Sequence, residues 1–183
     1  MTSVTVKTYT DFPVTATIFA FAPSDTVSLN NFWAGVRTYF NYLILLSDAG
    51  TYSYFFGISG PSPTFSMAPF FSPNKTVAQT RALLAPWFAD LAALNITLNP
   101  EFIQYPNYLS AWNAQFPTEG VGSDNFLFGS RLFPRENWRN QASLNAIFKV
   151  WKESIDAGAF SINFNFVPRW YGPGADVTAV NPA

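Results

Sequence analysis

Strand-like and helix-like patterns alternate along this chain, and their order limits the folds that it can adopt. Residues 3–9 and 14–21 are rich in β-branched residues on either side of a turn, and the aromatic runs 51–58 and 64–71 lie on either side of a second turn. Each pair predicts a hairpin. Because helices separated by hairpins favour an antiparallel sheet, we predict an α+β fold with helices packed on one face. The open face would then form a ligand or dimer surface.

Three segments show the three- and four-residue spacing of apolar side chains that is typical of helices. The first begins after Ser28, a favoured capping residue, and ends before Gly50. The second begins at Asn74 or Thr76, and Pro86 within it predicts a kink because proline removes a backbone donor. The third has its apolar face on Leu144, Ile147, Phe148, Trp151 and Ile155.

The last predicted strand has two rows of side chains. One row is Phe160, Ile162, Phe164 and Phe166, and the other is Ser161, Asn163 and Asn165. We expect the apolar row to pack under the helices. The polar row would lie on the open face, where it either binds a ligand or is simply solvated.

Other segments are predicted to be irregular. Pro69 predicts either an edge position or a bulge in its strand. Residues 106–125 contain Trp112 and little charge, and they form the best candidate for a loop or lid. Residues 168–183 are rich in Pro, Gly and Ala and predict an irregular tail. With no internal repeat or obvious boundary, residues 1–183 are predicted to form a single domain.

The residue types that the chain lacks exclude several kinds of chemistry. It has no His and no Cys, which excludes a Ser-His-Asp triad, a thiolate nucleophile, a disulfide and a Cys/His zinc site. We predict no metal site. Acid–base chemistry would fall to Asp, Glu, Tyr or Lys.

Charge and aromatic content indicate what the surface can bind. The net charge is −1 without a basic cluster, so we predict no nucleic-acid partner. Aromatic residues make up 19% of the chain and charged residues 11%, so much of the surface must be aromatic or weakly polar and should face a ligand or a partner subunit. No apolar stretch approaches the roughly 20 residues of a membrane span.

The start of the chain and two short motifs bear on its location. Met1 is followed by the polar stretch TSVTVKTYT instead of a basic and then apolar run, which predicts a cytoplasmic protein. Asn74-Lys75-Thr76 and Asn95-Ile96-Thr97 match the acceptor pattern for N-glycosylation, which matters only after secretion. We interpret both as chance matches.

Polar residues within aromatic surroundings are the candidates for a site. Tyr52 and Tyr54 share one face of a strand and would offer phenol donors to a developing negative charge, unless they are ordinary core residues. Glu101 lies near Gln104 and Tyr105 in an apolar region. If the Glu101 side chain is buried, its pKa would be raised into a range that suits proton transfer. If it is solvated, it has no such role.

Two arginines flank Pro134 within the stretch Ser130 to Arg135. Arg131 and Arg135 would either bind a carboxylate or enolate through forked hydrogen bonds or clamp the preceding loop onto the body.

Several stretches of the chain together resemble one known group of proteins. They are, in order, VKTYTDFPVTATIFAF, FWAGVRTYFNYLILLSDAGTYSYF, MAPFFSPNKT, RALLAPWFADLAALNI, GSRLFPRENW and AVNPA. In this order they resemble the substrate-binding domain of fungal FAD-linked oxidoreductases of the vanillyl-alcohol-oxidase and berberine-bridge type. FFSPN followed by LLAPWFADL, and GSRLFPR, are the most specific pieces.

The resemblance implies that residues 1–183 form a substrate-binding-type domain, which in such enzymes follows an FAD-binding domain. The free face of the sheet then roofs the substrate cavity above the flavin. The chain itself shows no Gly-rich pyrophosphate site, so we expect FAD only if a separate flavin domain supplies it. An exposed aromatic face would bind a ligand or form a homodimer.

Two functional hypotheses follow. The first is a stand-alone, flavin-independent cyclase or isomerase, similar to a pericyclase, that acts on a small apolar secondary metabolite. Its catalytic residues would be Tyr54, Glu101 and Arg131, and its ligand-binding residues Tyr52, Gln104, Tyr105, Trp112, Arg135, Asn163 and Asn165. The alternative is the substrate-domain part of an FAD-dependent oxidase, or a non-catalytic module that binds a small molecule.

Overall fold

The fold is built on one antiparallel sheet. The computed structural model describes residues 11–116, 129 and 131–165. Five strands follow the order β4-β1-β3-β2-β5 across the sheet. They are β1 (Val14–Phe21), β2 (Tyr52–Ile58), β3 (Thr64–Pro73), β4 (Ile103–Tyr105) and β5 (Ser161–Phe164). All neighbours pair antiparallel, which confirms the predicted α+β class. The strand predicted over residues 3–9 lies outside the described residues.

Five helices accompany these strands in the described ranges. They are α1 (Leu29–Asp48), α2 (Val77–Ala93), α3 (Tyr108–Gln115), α4 (Arg135–Arg139) and α5 (Gln141–Asp156). The Ser28 side chain caps α1, as predicted, by accepting from Asn31 N. Thr76 and Gln79 form a reciprocal capping box at the start of α2. None of these helices is both long and apolar enough to cross a lipid bilayer.

Helices α1, α2 and α5 cover one side of the sheet, which we call the helix face. Tyr39 of α1 lies at the centre of an aromatic cluster, with its ring centroid 5.0 Å from that of Phe55 and 4.8 Å from that of Trp87. Gly57 of β2 lets α5 approach closely, because a Cβ atom there would lie 2.5 Å from Trp151 Cζ2. Most of the buried aromatic area of the described residues therefore lies between this face and the helices.

The central strand β3 is buried on both of its faces. Phe70 contributes to the core under the helices, whereas Phe71 belongs to a second apolar cluster on the opposite side, which we call the second face; both are 0% exposed. Helix α3 covers this part of the second face through Ala111 and through Tyr108, whose ring centroid lies 5.6 Å from that of Phe71. The second face is therefore only partly open.

This helix corrects the prediction of an irregular stretch over residues 106–125. Asn107 accepts from Ser110 N and caps α3, so a short helix forms despite the irregular composition. Packing of this helix over Phe71 stabilises it further. Residues 117–125 lie outside the described residues.

Pro69 lies in the central strand, so the edge position considered for it is wrong. The other option, a bulge, is confirmed by register shifts on both sides of β3. One lies opposite Thr17 and Phe19 of β1, and the other lies opposite Ser53 and Phe55 of β2. The bulge absorbs the missing backbone donor without moving the strand to an edge.

Strand β5 presents its polar row to the helix face, opposite to the prediction. Trp151 Nε1 donates to Ser161 Oγ at 2.9 Å and to Asn163 Oδ1 at 3.2 Å. The apolar residues are on the other side and stay partly exposed, with Phe160 at 55%, Ile162 at 38% and Phe164 at 47%. The predicted orientation is wrong because a partly buried indole N–H needs acceptors. Phe166 lies outside the described residues.

Asn165, just after β5, connects this edge strand to the core. Its Oδ1 accepts from Ser53 N at 2.5 Å and from Ser53 Oγ at 2.6 Å. Its Nδ2 donates to Ser47 Oγ at 3.1 Å and to Thr51 O at 3.0 Å. Tyr39 also donates to Ser53 Oγ, and burial raises the pKa of Tyr39, which keeps its phenol neutral. A continuous polar network thus fixes the end of β5.

Asn165→Ala should lower the free energy of unfolding by about 3 kcal/mol, because buried partners at Ser53 and Thr51 would lose their hydrogen bonds. Asn163→Ala is the matched control on the same strand, and its partly exposed bonds should cost about 1 kcal/mol. Urea denaturation followed by tryptophan fluorescence measures both values. Equal losses for the two variants would contradict a special role for Asn165.

Candidate functional site

The part of the second face beside β2 and β5 carries a group of apolar and aromatic side chains, several of them partly exposed, that we call the aromatic face. Its members are Tyr54, Phe56, Phe116, Phe160, Ile162 and Phe164. The Tyr54 ring stacks on Phe116 with centroids 4.9 Å apart. The Phe56 ring stacks on Phe160 at 5.6 Å. These pairs give the surface fixed, flat ring faces.

Strand pairing explains why these side chains come together. In β2, residues that alternate with Ser53, Phe55 and Gly57 of the helix face must point to the second face. Tyr54 pairs directly with Phe164, and Phe56 pairs with Ile162. Directly opposed residues project from the same side of an antiparallel sheet. The β2–β5 pairing therefore aligns two apolar rows.

The C-terminal end of α3 borders the aromatic face. Trp112 and Phe116 stack with centroids 3.7 Å apart, and Trp112 is 40% exposed. Gln115 Nε2 donates to the Tyr105 hydroxyl, which connects α3 to β4. Burial raises the pKa of Tyr108, so its phenol stays protonated. The neutral phenol of Tyr108 thus accompanies the ring faces on this side of the sheet.

The structure places four of the predicted site residues on the second face. Tyr54 is only 6% exposed beneath Phe116. Tyr52 and Tyr105 pack against the cluster around Phe71, and Trp112 lies on α3 above it. Tyr52, Tyr54, Tyr105 and Trp112 therefore share one surface, although their binding and catalytic roles stay predictions.

Glu101 and Gln104 lie at the opposite edge of the sheet from β5. Gln104 pairs with Thr15 of β1, and the Glu101 carbonyl oxygen accepts from Thr17 Oγ1 at 2.7 Å. Strand β4 lies four steps from β5, or about 19 Å at the usual strand spacing. Both side chains are exposed. The structure does not bring them next to the aromatic face.

Asn163 and Asn165 lie on the helix face and are already bonded there. Asn163 Oδ1 accepts from Trp151 Nε1, and its Nδ2 donates to Phe55 O at 3.3 Å. Asn165 is 9% exposed and belongs to the network with Ser53. The open-face position predicted for both residues is wrong, because their amides satisfy buried polar groups.

The two predicted arginines lie on the helix side. Arg135 forms a forked ion pair with Asp48 at the end of α1, with N–O distances of 2.6 and 2.7 Å. The Asp48 carboxylate raises the pKa of Arg135. The Arg131 Cζ atom lies 5.8 Å from the ring centroid of Phe133. Phe133 comes just before α4, which packs on α1. The pair with Asp48 matches the clamp interpretation of Arg135.

The proposed catalytic set is thus not assembled in the described residues. Tyr54 lies on the second face, Arg131 lies near α4 beyond the helix face, and Glu101 lies at the β4 edge. A joint role for these three residues would require groups separated by the sheet to act on one substrate.

Sequence reasoning missed the apolar members of the aromatic face. In the sequence, Phe56 belongs to an aromatic run whose two faces are not distinguished, and Phe116 belongs to the stretch predicted to be irregular. The alternation in β5 predicts Phe160, Ile162 and Phe164 under the helices. The signal that could have corrected this is Trp151, whose indole N–H needs partners from the polar row of β5.

The aromatic face can stack against a flat apolar molecule, but it offers one wall only. Its Phe160 and Phe164 side chains are 55% and 47% exposed. A cavity of about 420 Å³ in the described residues lies elsewhere, lined by Leu29, Gly60 and Ile155 among others. Within the described ranges, no three His, Cys, Asp or Glu side chains converge as metal ligands.

A flavin site among the described residues would have to hold the pyrophosphate of FAD. Such a group is usually held by free N–H groups at a helix N-terminus. Here each of the four longer helices has N–H groups accepted by its own cap: Ser28, Thr76, Asn107 and Asn140. Each cap accepts only one or two of the first N–H groups of its helix, so these helix ends neither identify nor exclude a flavin site.

Sequence comparison finds relatives among fungal enzymes, although no protein-family model matches the chain. The FAD-linked oxidoreductase patO of Aspergillus clavatus is 32% identical over 138 residues, covering 72% of this chain and 23% of the relative. The patO protein of Penicillium expansum is 29% identical over 166 residues, covering 88% of this chain and 28% of the relative. The chain spans about a quarter of the length of these relatives.

Comparison of folds agrees with this result. The VAO-type flavoprotein MtVAO615 of Myceliophthora thermophila C1 matches with a TM-score of 0.62 at 18% identity, over 78% of this chain and 26% of that protein. MtVAO713 of the same organism matches with a TM-score of 0.62 at 20% identity, over 76% of this chain and 26% of that protein. By sequence the chain therefore belongs to a family of FAD-linked oxidoreductases, and its fold is that of one part of VAO-type flavoproteins.

Proposed function

We propose that this chain forms the substrate side of an FAD-linked oxidoreductase and that the aromatic face is one wall of its substrate site. The observation that carries the proposal is the partly exposed apolar surface at β2 and β5. Phe160, Ile162 and Phe164 stay between 38 and 55% exposed on the side of the sheet away from α1, α2 and α5. A surface of this kind on a folded domain usually faces a ligand or a partner.

The proposed wall would bind substrate mainly by excluding water. Each Å² of apolar surface that substrate covers contributes about 25 cal/mol, and the Phe56–Phe160 and Tyr54–Phe116 pairs hold their rings in place without substrate. Flat apolar molecules suit such a surface best. FAD would carry out the oxidation of the substrate, and residues outside the described part of the chain would hold the FAD.

The stand-alone cyclase or isomerase predicted first from the sequence is not the function that we propose. The relatives are named as FAD-linked oxidoreductases, and nothing in the comparisons supports a cyclase. The described residues also keep Tyr54, Glu101 and Arg131 apart. The alternative, a part of a flavin-dependent oxidase, fits both observations.

The natural polypeptide that contains this sequence should associate with flavin. We expect immunopurification from the producing organism to give either one protein roughly four times the mass of this chain, or this chain together with a second flavoprotein, since relatives are 23 and 28% covered. Mass spectrometry and the visible absorption spectrum measure this. A flavin-free 20.4 kDa protein, monomeric or homodimeric, would contradict the proposal.

In the complete flavoprotein, Phe164→Ser should raise KM for an oxidised substrate about fivefold, equivalent to about 1 kcal/mol of lost apolar contact. The matched control is Val150→Ser, because Val150 is 65% exposed on α5, beyond the helix face. Steady-state kinetics of both variants make the comparison. An unchanged KM for Phe164→Ser, or an equal rise for Val150→Ser, would place the substrate elsewhere.

A further inference from the structure

The geometry of the turn after α2 explains why Asn95 and Ile96 stand there. Asn95 has a positive φ of 65°. Ile96 N donates to Leu91 O at 2.9 Å, and Asn95 N donates to Ala92 O at 3.0 Å, which is the bonding pattern of a Schellman cap. Ile96 is 2% exposed, and its Cδ1 lies 2.5 Å from where a Cβ atom of Gly35 would be. Asn95 ends the helix, and Ile96 anchors the turn.

The cap does not explain Thr97. In the part of the chain that the structure describes, Asn95 and Thr97 are both exposed, and no hydrogen bond involves the side-chain amide of Asn95 or the hydroxyl of Thr97. The three residues Asn95-Ile96-Thr97 form an N-glycosylation acceptor pattern, with an apolar residue other than Pro in the middle. At the other match, the Thr76 hydroxyl already accepts from Gln79 N. The turn at Asn95 is therefore the better acceptor.

We propose that Asn95 is a site of N-linked glycosylation. The co-reactant would be an oligosaccharide bound to a lipid through a pyrophosphate. A bond forms between Asn95 Nδ2 and the anomeric carbon, while the bond from that carbon to the pyrophosphate oxygen breaks. Nδ2 releases one proton, the lipid pyrophosphate leaves with the bonding electrons, and nothing is oxidised or reduced.

The position of Asn95 fits a bulky addition. Helix α2 packs on the helix face through Leu84, Trp87 and Leu91, each 0% exposed, and Asn95 follows at its end. The aromatic face lies on the other side of the sheet. A glycan at Asn95 would thus project from the helix layer and leave the proposed substrate wall uncovered. The site implies passage through the secretory pathway, in place of the cytoplasmic location expected from the sequence.

Peptide mapping of the wild-type protein, isolated from the organism that produces it, tests this site. Enzymatic removal of N-glycans in heavy-oxygen water should convert Asn95 to labelled Asp. An unmodified Asn95 in the wild-type protein would overturn the proposal.

Variants separate modification from helix capping. Asn95→Gly keeps a residue suited to the Schellman position and should lose the glycan completely, with the unfolding midpoint of the deglycosylated protein unchanged. Thr97→Ala leaves the cap in place and should also lose the glycan, whereas Thr97→Ser should retain it. A glycan that persists at Asn95 in Thr97→Ala would contradict acceptor recognition.

Discussion

The burial of β3 on both faces is the constraint on which the rest of the structure depends. Phe70 and Phe71 are neighbours in sequence, point in opposite directions, and are both 0% exposed. Covering one of them requires the layer of α1, α2 and α5, and covering the other requires α3. Since α3 is only eight residues long, it covers one part of the second face fully, and the side chains of Phe160, Ile162 and Phe164 beside it stay partly exposed.

The edge at β5 is held mainly by polar contacts. Its bonds to Trp151 and the Asn165 network satisfy donors whose loss would cost about 1–3 kcal/mol each. Keeping these bonds obliges the Phe and Ile side chains of the strand to face outward. The polar row of β5 toward the helices and its apolar row on the aromatic face therefore have the same cause. The apolar row belongs to the surface to which we assign function.

The sequence predicts the helices and most strands well because their signals are local. Ser28 and Thr76 cap α1 and α2 through contacts within three residues, which do not depend on where the helices pack. The aromatic runs of β2 and β3 likewise favour strands without reference to their neighbours in the sheet. The orientation of β5 depends on a tertiary contact, the hydrogen bonds from Trp151 of α5 to its polar row. Alternation within the strand identifies the two rows but does not decide which of them faces the helices. Helix α3 was missed because eight residues with few apolar positions give a weak period.

The same distinction holds for the candidate site. Tyr52, Tyr54, Tyr105 and Trp112 share the second face, whereas Gln104 and Glu101 belong to an edge strand four steps from β5. Strand order cannot be read from hairpins that are joined through helices. Asn163 and Asn165 were chosen for amides that can bind a ligand, and the structure uses that same capacity to satisfy its own backbone and side chains.

The missing side chain of Gly57 has a consequence for how this domain can vary between species. The space that a Cβ atom would occupy is filled by the Trp151 ring and by Ile155, so the two helix positions and the strand position share one fixed volume. A larger residue at 57 is tolerable only where the residue at 151 is smaller. Aligned natural homologues should therefore show these positions changing together, and a lineage that replaces the tryptophan would also need a new donor for Ser161 Oγ and Asn163 Oδ1 of its edge strand.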